Sequence, residues 1–86
     1  MQVEFKPAAQ KEFITLERQL QLFFKTHLEK ISQLPPRRHL GFGVPHHVED
    51  VTRQARLVFN IEGEKIVVIH CFSSHKEYEK WYKSFK

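Results

Sequence analysis

Residues 64 to 72, EKIVVIHCF, are apolar at both alternating parities, with Ile66, Val68 and His70 on one side of an extended chain and Val67, Ile69 and Cys71 on the other. Such a strand has no face to give to water, so it must be covered on both sides or lie centrally in a sheet. RLVFNIE precedes it, and Gly63 lies between the two β-rich runs. Residues 56 to 72 therefore read as a hairpin with its turn at Glu62 to Glu64. VEDVTRQ, just before, reads as a neighbouring strand joined by a tight turn around Gln54 and Ala55.

The rest of the chain must supply the cover. QVEFK alternates as a short strand and stops at Pro7, a residue suited to the first turn of a helix. Phe13, Leu16, Leu20, Phe23, Phe24, His27, Leu28 and Ile31 then recur at spacings of three and four, the stripe of a half-buried helical surface. One unbroken helix of roughly 25 residues would run nearly 40 Å at about 1.5 Å per residue. That is long for so small a chain, and a helical hairpin broken near Thr15 to Arg18 fits better.

Leu34, Pro35 and Pro36 end the second helix, because proline removes a donor and restricts the residue before it. RRHLGFGVPHHVED, residues 37 to 50, reads as a loop in which basic and imidazole side chains gather. Its composition suits phosphate and equally suits a solvated connection. After Phe72, Ser73 or Ser74 can cap a terminal helix with Glu77 placed for a capping box. On that helix Tyr78, Trp81, Tyr82 and Phe85 are spaced to dock on the sheet. The expected fold is α+β, a two-layer sandwich. An N-terminal strand and a helical hairpin pack on a small, mainly antiparallel sheet, and a short C-terminal helix closes it. At 86 residues the chain has length for one domain, 1–86, and no internal repeat is visible.

Fourteen Lys and Arg stand against ten Asp and Glu, a formal charge of +4 and a sequence pI near 9.4, with six His besides. This balance points to a polyanionic partner, or to a merely solvated basic face. The lone Cys71 excludes an internal disulfide. No apolar stretch nears the roughly 20 residues that span a bilayer, and MQVEFKP lacks a signal-peptide core. The expectation is a cytoplasmic protein with no membrane association.

FKPAAQKEF after an opening strand, a helical hairpin ending in a proline-containing loop, ARLVF followed by a polar turn and an apolar strand, and SHKEYEKWY come in a recognisable order. In this the sequence resembles the RelE/ParE superfamily of small bacterial toxins. ARLVF is similar to the arginine-bearing hairpin of the YoeB and RelE branches, and SHKEYEKWY to the His-x-x-Tyr ending of HigB-type members. The resemblance implies the toxin of a type II toxin–antitoxin system, a ribosome-dependent endoribonuclease that cleaves messenger RNA and is silenced by a cognate antitoxin. It implies chemistry without metal or cofactor, in which the ribose 2′-hydroxyl attacks the adjacent phosphate. That reaction needs a base, a cation at the phosphate and an acid for the leaving oxygen. Homodimerisation stays open. A ParE-like, non-enzymatic gyrase inhibitor and a non-catalytic RNA-binding module are the alternatives.

By the resemblance, Arg56 is the arginine that clamps the scissile phosphate, which a guanidinium can grip with two nitrogens. Otherwise it is a strand-end arginine in a surface ion pair. Arg53 is a second phosphate contact. His75 and Tyr78, three apart, share one side of the terminal helix; the imidazole can act as acid or base, and the phenol can position a proton or stack on a nucleobase. In the plainer reading Tyr78 anchors the helix and His75 only lies in its first turn. His46 and His47, in the basic loop after Pro45, fall where relatives carry a Glu or His used as base, and two adjacent histidines cannot share one face. Glu49 and Asp50 could orient a histidine. His70 reads as a core or edge residue, and Cys71 as a small buried one. A zinc site from these histidines lacks any H-x-x-x-H or Cys pair. Arg37, Arg38, Lys76, Lys80, Lys83 and Lys86 are candidates for RNA phosphates, or are simply solvated.

Overall fold

The computed structural model describes residues 2–33 and 46–84. The expected stop at Leu34 to Pro36, most of the loop after it, and Arg37, Arg38, Phe85 and Lys86 lie outside the described residues. The elements follow in the order β1 (Gln2–Phe5), α1 (Pro7–Thr15), α2 (Arg18–Gln33), β2 (His47–Asp50), β3 (Arg56–Glu62), β4 (Lys65–Phe72) and α3 (His75–Lys83). Among the described residues four strands make one sheet in the order β1-β4-β3-β2. The β2–β3 and β3–β4 pairs are antiparallel, and β1 runs parallel to β4. The class is α+β, and β4 lies inside the sheet as its two apolar parities require.

The β3–β4 hairpin turns through Gly63, whose φ of +64° is the left-handed region that a side chain disfavours. Its register is not uniform. Phe59 faces Val68 but Val58 faces His70, so β4 carries a bulge that skips Ile69. Ile66, Val68 and Cys71 consequently share one face, while His70 and Phe72 turn to the other. This corrects the simple alternation, which put His70 with Val68 and Cys71 with Val67. Where both parities are apolar, alternation carries no trace of a bulge.

One face of the sheet packs on the helical hairpin. Ala9 of α1 and Phe24, Leu28 and Ile31 of α2 close over Leu57, Phe59, Ile66, Val68 and Cys71. The hairpin breaks at the expected place without glycine or proline. Thr15 Oγ1 donates to the Glu12 carbonyl at 2.9 Å, and Gln21 Nε2 reaches back from α2 to the Phe13 carbonyl at 2.9 Å. Side chains thus satisfy carbonyls that a continuous helix would have bonded itself. Phe23 departs from the expected stripe: it is 41% exposed, whereas Phe24 is fully buried. Adjacent helical residues point about 100° apart, so only one of the two can lie on the buried line through Leu28 and Ile31.

The strand before the hairpin is shorter and earlier than VEDVTRQ suggests. β2 ends at Asp50, and residues 51–55 form the turn. Val51 N–H donates to the Ala55 carbonyl at 3.0 Å, and Thr52 Oγ1 accepts from the Gln54 and Ala55 N–H groups. The threonine hydroxyl competes for backbone donors and so favours a turn over further strand. At its start the strand gains only His47, which reads as loop in the sequence, and His47 to Asp50 pair with β3.

The second face of the sheet receives α3. Ser74 caps it, accepting from the Glu77 N–H at 3.3 Å. Tyr78, Trp81 and Tyr82 then pack on Val58 and Phe72.

The two adjacent phenylalanines separate the buried line from its flank. Phe24→Ala is expected to cost about 3–5 kcal/mol through transfer and cavity terms, and Phe23→Ala less than about 1 kcal/mol. Urea unfolding of the two variants checks this, and equal losses would contradict the assigned helix orientation.

Candidate active site

Arg56 opens β3 and turns toward α3. Its Nε lies 3.0 Å from Asp50 Oδ1, the residue it faces across the β2–β3 pair. One terminal nitrogen, Nη1, donates to the carbonyls of Thr52 at 2.9 Å, Arg53 at 3.2 Å and Ala55 at 2.9 Å. The guanidinium carbon sits 5.8 Å from the Tyr78 ring centroid, within cation–π range. Only 12% of the side chain is exposed. Arg56 is therefore the staple of the 51–55 turn, and among the described residues its other terminal nitrogen, Nη2, has no hydrogen-bond partner. The plainer reading, a strand-end arginine in a surface ion pair, meets its pair in Asp50 but not the turn carbonyls, which are not written in side-chain pattern.

Tyr78, on the first turns of α3, is buried on the same face. Burial, then the neighbouring Tyr82, raises its phenol above the ordinary value, with Arg56 opposing. The His75 and Tyr78 rings meet edge to face at 5.7 Å. His75 Nδ1 lies 2.9 Å from Glu79 Oε1, and Lys83 Nζ 3.3 Å from Glu79 Oε2. The Lys83 hydrogen bond first, then the charges of Lys83 and His75, hold the Glu79 carboxyl below its usual range. The fold thus brings Arg56, Tyr78 and His75 together. Arg53, Lys76 and Lys80 are exposed.

The two adjacent histidines diverge. His46 Nδ1 donates to Asn60 Oδ1 at 2.7 Å, and its ring lies 5.7 Å from Trp81 on the α3 side. His47 is 8% exposed and stacks at 5.2 Å on Phe59, whose side chain belongs to the hairpin face. Glu49 points the same way as His47, pairing with His27 at 3.3 Å and Lys30 at 3.4 Å. Asp50, not Glu49, borders the Arg56 cluster.

His70 joins that cluster because of the bulge. Its ring stacks on Phe72 at 4.8 Å and meets Trp81 edge to face at 5.5 Å. Its Nδ1 lies 3.1 Å from Glu12 Oε2, and Glu12 Oε1 also accepts the Cys71 backbone N–H at 2.9 Å. The β1–β4 pairing stops at Phe5 and Val68, so the α1 carboxylate takes the place of a neighbouring strand there. Nothing in the sequence marks Glu12, which lies 58 residues from His70. The Cys71 thiol faces the hairpin core; burial, then the Glu12 charge, pushes it up to about 12. Among the described residues no group of three or more His, Cys, Asp and Glu is arranged to hold a metal ion, and no helix is long and apolar enough to cross a membrane.

No protein-family model matches the sequence, and no curated protein does. Solved structures do match. The isolated RelE toxin of E. coli superposes with a TM-score of 0.74 at 19% identity, over 99% of this chain and 98% of that one. RelE in the intact E. coli RelBE toxin–antitoxin complex gives 0.70 at 20% identity, over 81% and 92%. The YoeB–YefM complex from Staphylococcus aureus gives 0.68 at 14% identity, over 83% and 93%. The chain has the fold of the RelE/ParE superfamily toxins.

Two outcomes follow from the site. Arg56→Lys loses the fork and is expected to destabilise by about 1–3 kcal/mol. Asp50→Asn, whose carboxylate side is 77% exposed, is expected to cost under about 1 kcal/mol. Urea unfolding separates them, and an Arg56→Lys protein as stable as wild type would refute the staple. The neutral Cys71 thiol, raised from 9.0 to about 12, favours the folded state fully below pH 9, and that stability is lost as pH rises toward 12. Iodoacetamide at pH 9 should therefore label Cys71 only after unfolding in urea; rapid labelling of native protein would contradict its burial.

Proposed function

We propose that this protein is the toxin of a type II toxin–antitoxin pair and cleaves messenger RNA on the ribosome. The observation that carries this reading is the meeting of Arg56, Tyr78 and His75 on one sheet face of a RelE-type fold. The 2′-hydroxyl attacks the adjacent phosphate, giving a cyclic phosphate and a 5′-hydroxyl. Arg56 offers Nη2 to the phosphate, where charge accumulates in the transition state. His75, half-exposed, supplies a proton to the leaving oxygen. Tyr78, buried against Arg56, positions a proton rather than stacking on a base, and His46 lies in the same face through Trp81. His47, buried toward α2, has a packing role in this scheme. Arg53, Lys76 and Lys80 track phosphates, with Arg37 and Arg38 as further contacts. No metal or cofactor is invoked.

As a toxin of this kind it works in the cytoplasm as one domain and is held inactive by an antitoxin. RelBE and YoeB–YefM, named as toxin–antitoxin complexes, support that partnership, and a YoeB dimer supports homodimerisation. One observation favours a second reading. Arg56 is largely engaged by Asp50 and the turn, which suits a ParE-like, non-enzymatic gyrase inhibitor. The YoeB/ParE toxin from Agrobacterium tumefaciens matches at TM-score 0.69 and 13% identity.

The deciding assay adds purified protein to translating ribosomes and, separately, to a gyrase supercoiling reaction. Cleaved message, with a loss of about 10²–10⁴-fold in His75→Ala that retains its fold, is the expected result. Intact message with stalled supercoiling would overturn the nuclease reading.

A further inference from the structure

His70 reads in sequence as a core or edge residue, yet it has the geometry of a held base. Its Nδ1 lies 3.2 and 3.1 Å from the two Glu12 oxygens, so a carboxylate accepts the Nδ1 proton. The neutral ring then carries its lone pair on Nε2. Among the described residues no hydrogen bond reaches Nε2, and 22% of the side chain is exposed. Stacking on Phe72 and an edge contact with Trp81 fix the ring plane.

The position is as telling as the tautomer. Arg56 faces Phe72 across the β3–β4 pair, and His70 stands two residues before Phe72 on the same face. It is thus a cross-strand diagonal neighbour of Arg56, about 7–8 Å away between backbones and within reach of long side chains. The rings of His70, Phe72, Tyr78 and His75 form a continuous series, at 4.8, 6.2 and 5.7 Å between successive centroids. The two imidazoles lie at its ends, with Arg56 against Tyr78 between them.

We propose that His70 is the general base of this site and that Glu12 is its positioning residue. The proposal rests on the nuclease reading given above. Nε2 takes the proton of the ribose 2′-hydroxyl as the 2′-oxygen–phosphorus bond forms. The phosphorus–5′-oxygen bond breaks with its electron pair, and the 5′-oxygen takes a proton from His75. The Glu12 carboxylate faces the imidazolium so formed and stabilises it at short range. The two histidines then exchange protons with water and return to their starting forms.

Glu12→Gln is the discriminating variant. Its amide oxygen can still accept the Cys71 N–H and keep the strand edge, but its NH₂ would donate to Nδ1 and force the proton onto Nε2. Nitrogen-15 NMR of the free protein is expected to find neutral wild-type His70 protonated at Nδ1, and the Glu12→Gln histidine at Nε2. Message cleavage on ribosomes is expected to fall at least about 100-fold in Glu12→Gln and in His70→Gln. Glu12→Asp should recover part of the rate, and thermal unfolding should show each variant folded. A wild-type His70 protonated at Nε2 would overturn the proposal whatever the protein's activity. If wild type cleaves and the folded Glu12→Gln and His70→Gln variants cleave equally well, the base assignment fails while the nuclease reading stands. If wild type leaves translated message intact, both fail.

Discussion

Everything on the second face of the sheet depends on the bulge in β4. By skipping Ile69, the strand keeps Val68 and Cys71 under the helical hairpin while turning His70 and Phe72 toward α3. Without it, strict alternation would keep His70 and Phe72 with Val68, and the aromatic series that ends at His75 would lose its first two rings. The bulge occurs where β1 stops pairing, and the Glu12 carboxylate takes up the Cys71 N–H left at that edge. One side chain of α1 thereby secures the strand and faces the imidazole that the bulge exposes.

The architecture was legible where a residue pattern has one structural meaning. Two apolar parities around Gly63 gave an interior strand in a hairpin, and the three-and-four spacing of Phe24, Leu28 and Ile31 gave a helix with one buried line. Ser74 and the aromatic spacing gave the closing helix. What could not be read depends on partners distant in sequence. The parallel pairing of β1 with β4 joins residues such as Val3 and Ile66, which no local signal links. Phe23 and Phe24 look alike in a stripe until the tilt of the helix on the sheet is fixed. The end of β2 is set by the Thr52 hydroxyl, and the strand stops four residues before VEDVTRQ does.

The candidate site divides in the same way. Arg56, His75 and Tyr78 are singled out by the family resemblance, and the fold brings the three side chains together around the Tyr78 ring. That His46 and His47 would part was evident from adjacency, but the direction each takes was not. The engagement of Arg56 with the turn carbonyls, and of His70 with Glu12, needed coordinates. Both show one residue serving stability and site together: the guanidinium that closes the 51–55 turn is also the cation beside Tyr78. Changes at these positions must therefore be read with a stability measurement beside the activity.

The central claim, a transesterification carried by side chains of this face, is tested most directly by the ends of the RNA it leaves. The account predicts that message cut on translating ribosomes leaves upstream fragments bearing a 2′,3′-cyclic phosphate and downstream fragments beginning with a 5′-hydroxyl. Upstream fragments ending in a free 3′-hydroxyl, paired with 5′-phosphates, would contradict it.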